Sequence, residues 1–174
     1  IDDIRAVLRA GADKVSLNTA AIARPELIQE AAKRFGSSTI VVSIEAKKRP
    51  DGSYECYTDN GRVRTGVNAF EWATRVAELG AGEILLTSID QEGTGKGFDV
   101  EMTRRVAQSV PIPVIACGGA GRVEHVYDVI HDGRADAVSF ASIVHYRYIA
   151  QFYTNDDYSS EGNIEFLKSG LGFS

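Results

Sequence analysis

The chain has 174 residues, 44% hydrophobic and 25% charged, proportions that support one globular domain with a sizeable core and exclude a disordered chain. A formal net charge of −5 excludes a general nucleic-acid or anionic-membrane surface, so any bound anion must be held locally. Cys56 and Cys117 form no C-x-x-C pair, no apolar run reaches the roughly 18 residues of a membrane span, and the start is no signal peptide. These features lead us to expect a soluble, cytoplasmic protein.

In chain order, apolar runs alternate with helix-period segments, the signature of β/α units around a parallel sheet. The pattern predicts helices at 3–10, 25–34, 69–79, 100–109 and 123–131, and strands at 14–17, 39–44, 83–87, 114–117 and 137–140. Pro25 suits a first helical turn, Asp99 a helix N-cap, and Gly80 and Gly133 the left-handed position that ends a helix. Between Lys47 and Arg64, Pro50-Asp51-Gly52 and Asp59-Asn60-Gly61 flank Tyr54-Glu55-Cys56-Tyr57, predicting a small β-excursion on a strand-to-helix loop. From about Gln151 the chain turns polar. The expected organisation is therefore residues 1–150 as β/α units and residues 151–174 as a polar tail.

Ala12-Asp13-Lys14-Val15-Ser16-Leu17-Asn18-Thr19 lines up with Ala135-Asp136-Ala137-Val138-Ser139-Phe140-Ala141-Ser142, each after a helical pattern ending near a glycine. Such self-similarity reports architecture. About five β/α units with mirrored halves suit an incomplete (β/α)8 TIM barrel, a fold that takes about 250 residues when closed. The second copy carries Gly118-Gly119 well upstream of Asp136. The equivalent turn of the first copy is expected before Ile1, in units that precede this sequence.

Barrel sites form at the C-terminal ends of strands. Those ends hold Ser16, Asn18 and Thr19; Glu45 and Lys47; Thr87, Ser88 and Asp90; Gly118 and Gly119; Ala141 and Ser142. Consecutive glycines after the buried run Val114-Ile115-Ala116-Cys117 let a backbone approach an anion, and the following helix points amides at it. The same glycines also suit a tight turn with no ligand. Glu45, directly after Val41-Val42-Ser43-Ile44, is placed for proton transfer or for an ion pair with Lys47. The glycine-rich loop Asp90–Gly97 either closes over a ligand, with Gly93 and Thr94 donating, or is a plain mobile loop. Cys117 reads as a small buried residue. His125, His131 and His145 lack metal-ligand spacing, so no metal and no cofactor are expected. Lys14 and Glu83 sit at the opposite strand ends, where they form an ion pair or gate a passage.

Gly11–Ala21, Gly80-Ala81-Gly82-Glu83-Ile84-Leu85-Leu86-Thr87-Ser88-Ile89-Asp90, the Gly118–Gly121 turn and Ala141-Ser142-Ile143-Val144-His145 resemble the HisF family, cyclase subunits of imidazole glycerol phosphate synthase among the HisA/HisF barrels. The resemblance implies a lyase of histidine biosynthesis. Such an enzyme draws ammonia from a glutaminase (HisH-like) partner and converts a bis-phosphorylated formimino-carboxamide ribonucleotide to imidazole glycerol phosphate and an aminoimidazole carboxamide ribonucleotide. It also implies Ser16, Asn18 and Thr19 at one substrate phosphate, and Gly93, Gly118, Gly119, Ala141 and Ser142 at the other. Glu45 would be catalytic, and Lys14 and Glu83 would form the ammonia gate. Four departures stand out. Glu45 replaces the family aspartate, Gln91-Glu92 replaces Arg-Asp, a first-strand catalytic aspartate is missing, and the tail after Tyr148 is unlike the usual last helix. They leave open a HisF-like paralogue that amidinates surface-polysaccharide sugars, and a non-catalytic barrel that docks a glutaminase and conducts ammonia. Without its first strands, the chain itself is expected to be inactive and to self-associate.

Overall fold

In the computed structural model, which describes residues 1–145, the units run α1 (Asp2–Arg9), β1 (Val15–Leu17), α2 (Thr19–Ala23), α3 (Glu26–Phe35) and β2 (Ile40–Lys48). Then come β3 (Tyr54–Thr58), β4 (Val63–Asn68), α4 (Ala69–Glu78), β5 (Glu83–Ser88), α5 (Val100–Ser109), β6 (Val114–Cys117), α6 (Val123–His131) and β7 (Ala137–Ser139). The polar segment from residue 151 lies outside the described residues.

The strands β1, β2, β5, β6 and β7 lie side by side in chain order and pair in parallel. Successive β/α units adding to one parallel sheet make this an α/β fold of TIM-barrel type, and among the described residues the sheet does not close. The excursion is a β-hairpin. Its strand β3 pairs antiparallel with residues 45–48 of β2 and with β4, which forms the sheet's edge.

Strand alternation sorts the side chains. Val42, Ile44 and Ala46 of β2, Ile84 and Leu86 of β5 and Val114 of β6 pack with Trp72, Val76, Met102 and Val106 of the helices. The helices are held in register by their caps. Asn68 Oδ1 accepts from the Phe70 and Glu71 amides, and Asp99 Oδ1 from the Met102 amide at 2.9 Å. The other face of the sheet bears Ser16, Ser43, Glu45, Leu85, Thr87, Ile115, Cys117 and Ser139, and among the described residues no helix packs on it.

Three expectations change. Strand β2 runs four residues past Ile44, because the hairpin gives those residues a pairing partner. The five-residue α2 fills a stretch with no visible period. Gly80 is left-handed at φ +94°, but at the end of α6 that conformation falls on Arg134, at φ +56°. Gly133 is needed for closeness instead, since a Cβ there would sit 2.4 Å from the Val129 carbonyl oxygen.

Candidate functional site

The parallel registers place Glu45 beside Thr87, Thr87 beside Cys117 and Cys117 beside Ser139. These four form one row across the open face at the C-terminal strand ends. With about 4.8 Å between strands, the row spans roughly 14 Å. At one end lies Glu45, whose Oε2 is buried without a hydrogen-bond partner. The expected alternative, an ion pair with Lys47, does not form: no salt bridge joins them among the described residues. The tip of the hairpin covers Glu45 instead, and a Cβ built on Gly61 would lie 3.8 Å from Oε2. Burying an unpaired acceptor costs about 1–3 kcal/mol, so this oxygen stands ready for a donor.

At the other end is a cavity of about 80 Å³ lined by Glu92, Gly93, Cys117, Gly118, Gly119, Ala120, Ser139, Phe140, Ala141 and Ser142. A cavity admits one water at roughly 10–15 Å³, so this one has room for a tetrahedral oxyanion. All five residues expected at the second phosphate meet here. Ala141 precedes a helical turn, with the Val144 and His145 amides donating to its carbonyl at 3.0 Å. The first amides of such a turn have no partner within it.

The glycines of the two loops are there to let backbone touch backbone. Cβ atoms built on Gly119 and Gly121 would lie 2.0 Å from the Gly97 and Gly95 carbonyl oxygens respectively. The Gly97 amide donates to the Gly119 carbonyl at 2.7 Å. Loop 90–97 is therefore packed backbone to backbone against the 118–121 turn. Thr94 does not offer its proton to a ligand, because its hydroxyl donates to the Gln91 carbonyl at 2.7 Å. Glu92, Ser139 and Cys117 join the cavity lining although the sequence does not single them out for it. Cys117 is half-buried rather than buried, because it points to the open face.

The first expected phosphate group is more dispersed. Asn18 and Thr19 sit at the mouth of β1, and Asn18 Oδ1 is buried without a partner. The Thr19 hydroxyl oxygen accepts from the Asp59 amide at 3.4 Å, tying it to the hairpin tip. Ser16 lies lower on the strand, level with Val41. At the opposite end of the sheet Lys14 and Glu83 form an ion pair that reaches across β2, with side-chain exposures of 46% and 21%.

The hairpin beside Glu45 is pinned from two sides. Tyr54, buried, donates its hydroxyl to Asp99 Oδ2 at 2.8 Å, and burial followed by that bond pushes its phenol well above the usual range. The Glu55 carboxylate bonds Arg64 and the Gly66 amide and pairs with Arg49, and the Arg64 hydrogen bond, ahead of the others, holds its carboxyl below the ordinary range. Burial, then Glu55, pushes the Cys56 thiol up to about 12.

A parallel β/α sheet with its carboxylate and glycine-lined cavity at the C-terminal strand ends defines a TIM-barrel protein. The family described as Histidine biosynthesis protein matches residues 1–150, and the chain belongs to that family of HisA/HisF-type barrel enzymes, isomerases and cyclases. Among the described residues no helix is long and apolar enough to cross a membrane.

Proposed function

We propose that this chain is the cyclase barrel of imidazole glycerol phosphate synthase. It takes ammonia from a glutaminase subunit and a bis-phosphorylated formimino-carboxamide ribonucleotide as substrate. The observation that carries this reading is the row from Glu45 to Ser139. An orphaned carboxylate oxygen lies about 14 Å across the face from a glycine-lined cavity. A long ligand with a phosphate at each end can seat one phosphate against Gly93, Gly118, Gly119, Ala141 and Ser142. Its other phosphate then reaches toward Asn18 and Thr19, with its reacting centre near Glu45.

Glu45 is the proton carrier in this reading. A carboxylate with no protein donor accepts a proton from the ligand as ammonia adds and returns it as the two products separate. The backbone amides of the glycine turn and of the helical turn after Ala141 hold the phosphate. In this reading Lys14 and Glu83, ion-paired at the far end of the same face, gate the entry of ammonia. One feature favours the sugar-amidination paralogue instead. The extra methylene of Glu45 moves its carboxylate relative to the family aspartate, and a shift of about 1 Å can cost roughly 10²-fold in rate.

The test is titration calorimetry of the chain with two ligands, the bis-phosphorylated ribonucleotide and the glutaminase subunit of the histidine pathway. Binding of both is expected. Binding of the ribonucleotide without the glutaminase would move the chain to the sister isomerases, and binding of neither would overturn the proposal.

A further inference from the structure

His125, in the first turns of α6, is 8% exposed and is not accounted for by the reaction. Its ring touches both glycine loops. The Gly121 amide donates to Nδ1 at 3.2 Å, and a Cβ on Gly97 would lie 3.5 Å from Cδ2, so the ring fills the space that Gly97 leaves open. On its other side Nε2 lies 2.9 Å from Arg122 Nε, a second donor.

A neutral imidazole accepts at only one ring nitrogen, so these two contacts compete. The Gly121 amide is a backbone donor in a part-buried turn, where an unmet partner costs about 1–3 kcal/mol. Arg122 is 65% exposed and has Glu124 at 3.9 Å and water as alternatives. The amide therefore keeps Nδ1 as its acceptor.

We propose that His125 is the positioning residue of the anion cavity: its Nδ1 and its ring together hold the 118–121 turn against the 95–97 loop, so that the glycine backbone faces the anion. The inference rests on the anion-site reading above and adds to it a residue that does not itself touch the ligand.

The experiment is sulfate titration of the whole chain at about pH 8. Wild type, His125→Asn and His125→Leu are compared. Asparagine can present an oxygen where Nδ1 sits, whereas leucine keeps bulk without an acceptor. The Asn variant should bind within about threefold of wild type and the Leu variant at least about tenfold more weakly, the scale of one lost hydrogen bond at the upper end of its range.

Equal affinities for wild type and the Leu variant would overturn the positioning role while leaving the anion site standing. An Asn variant as weak as the Leu variant would also overturn it, because an acceptor at the Nδ1 position would then make no difference. If the Leu variant shows no cooperative melt, His125→Phe, which keeps a ring without an acceptor, takes its place. Absence of sulfate binding by wild type would remove the anion site, and this proposal with it.

Discussion

Gly119 and Gly11 make a matched pair, because both have φ +107° and differ only in what surrounds them. A Cβ on Gly11 would meet nothing within 4 Å. A Cβ on Gly119 would lie 2.0 Å from the Gly97 carbonyl oxygen, 2.7 Å from its carbon and 3.0 Å from Gln91 Cβ. Gly11→Ala thus reports the cost of the left-handed backbone, about 1–2 kcal/mol, partly offset by a less flexible unfolded chain. Gly119→Ala adds a backbone clash that no rotamer change relieves. Overpacking of this kind costs about 1–3 kcal/mol, and separating the loops loses the Gly97–Gly119 hydrogen bond, worth about 1 kcal/mol. The difference between the variants should be about 2–4 kcal/mol. For a chain of this size that corresponds to a melting temperature roughly 5–15 °C lower for Gly119→Ala than for Gly11→Ala. Thermal melts by circular dichroism measure it directly. Melting of the two variants within about 2 °C of each other would refute the argument that the two glycine loops are packed backbone to backbone.

Four further outcomes are expected. In a version that carries the full eight-stranded barrel, supplied with ammonia, Glu45→Gln should lower turnover by about 10²-fold or more while substrate affinity stays within about threefold, and Glu45→Asp should maintain or raise the rate; steady-state kinetics reads both. Iodoacetamide should label half-buried Cys117 well before buried Cys56, whose thiol sits at about 12, and peptide mass mapping would expose the reverse order. The Glu55 carboxyl is depressed in the folded state, so its contribution is present above the ordinary glutamate range near pH 4.3 and is lost as pH falls through its lower folded value; in acid melts Glu55→Gln should remove that part of the pH dependence. The sheet face that no described helix covers, with the edges that β1, β4 and β7 form among the described residues, should draw a second copy of this chain into contact, burying more than about 1,000 Å²; light scattering that reports a monodisperse monomer at micromolar concentration would contradict this.

The repeating elements were legible because continuous apolar runs and helical periods differ in kind. Val114–Cys117 followed by Val123–His131 reads as strand then helix from spacing alone. What stayed hidden depends on partners distant in sequence. Lys47 and Lys48 are polar and exposed, and they join β2 only because Glu55 and Tyr54 pair with them. Cys117 closes an apolar run and looks buried, yet the alternation of β6 turns it to the face without helices. Gly133 and Arg134 divide the two tasks expected of one glycine, close approach and a positive φ, and no local pattern distinguishes them. The glycine-lined cavity is legible through its glycines, while His125 is not singled out because three scattered histidines suggest no metal. The one local hint was its spacing, four residues after Gly121 on a helix start, where a side chain can reach back to an amide.

The two ends of the open face differ in what their polar groups lack. Lys14 and Glu83 satisfy each other, but at 46% and 21% exposure such a pair contributes only about 0–1 kcal/mol to stability. Stability alone is a weak reason for two charges at the base of a sheet whose neighbouring face positions are Val41, Ser43 and Leu85. At the upper end Glu45 and Asn18 each bury an acceptor with no donor, which costs stability. A fold that tolerates unmet acceptors at one end and a weak, reversible pair at the other gains little from either as structure. On the function proposed above both become useful: a ligand at the top of the face would supply the missing donors, and ammonia would pass the pair at its foot. The backbone-to-backbone packing of the glycine loops would then fix where the ligand's phosphate sits, with its reacting atoms beside Glu45.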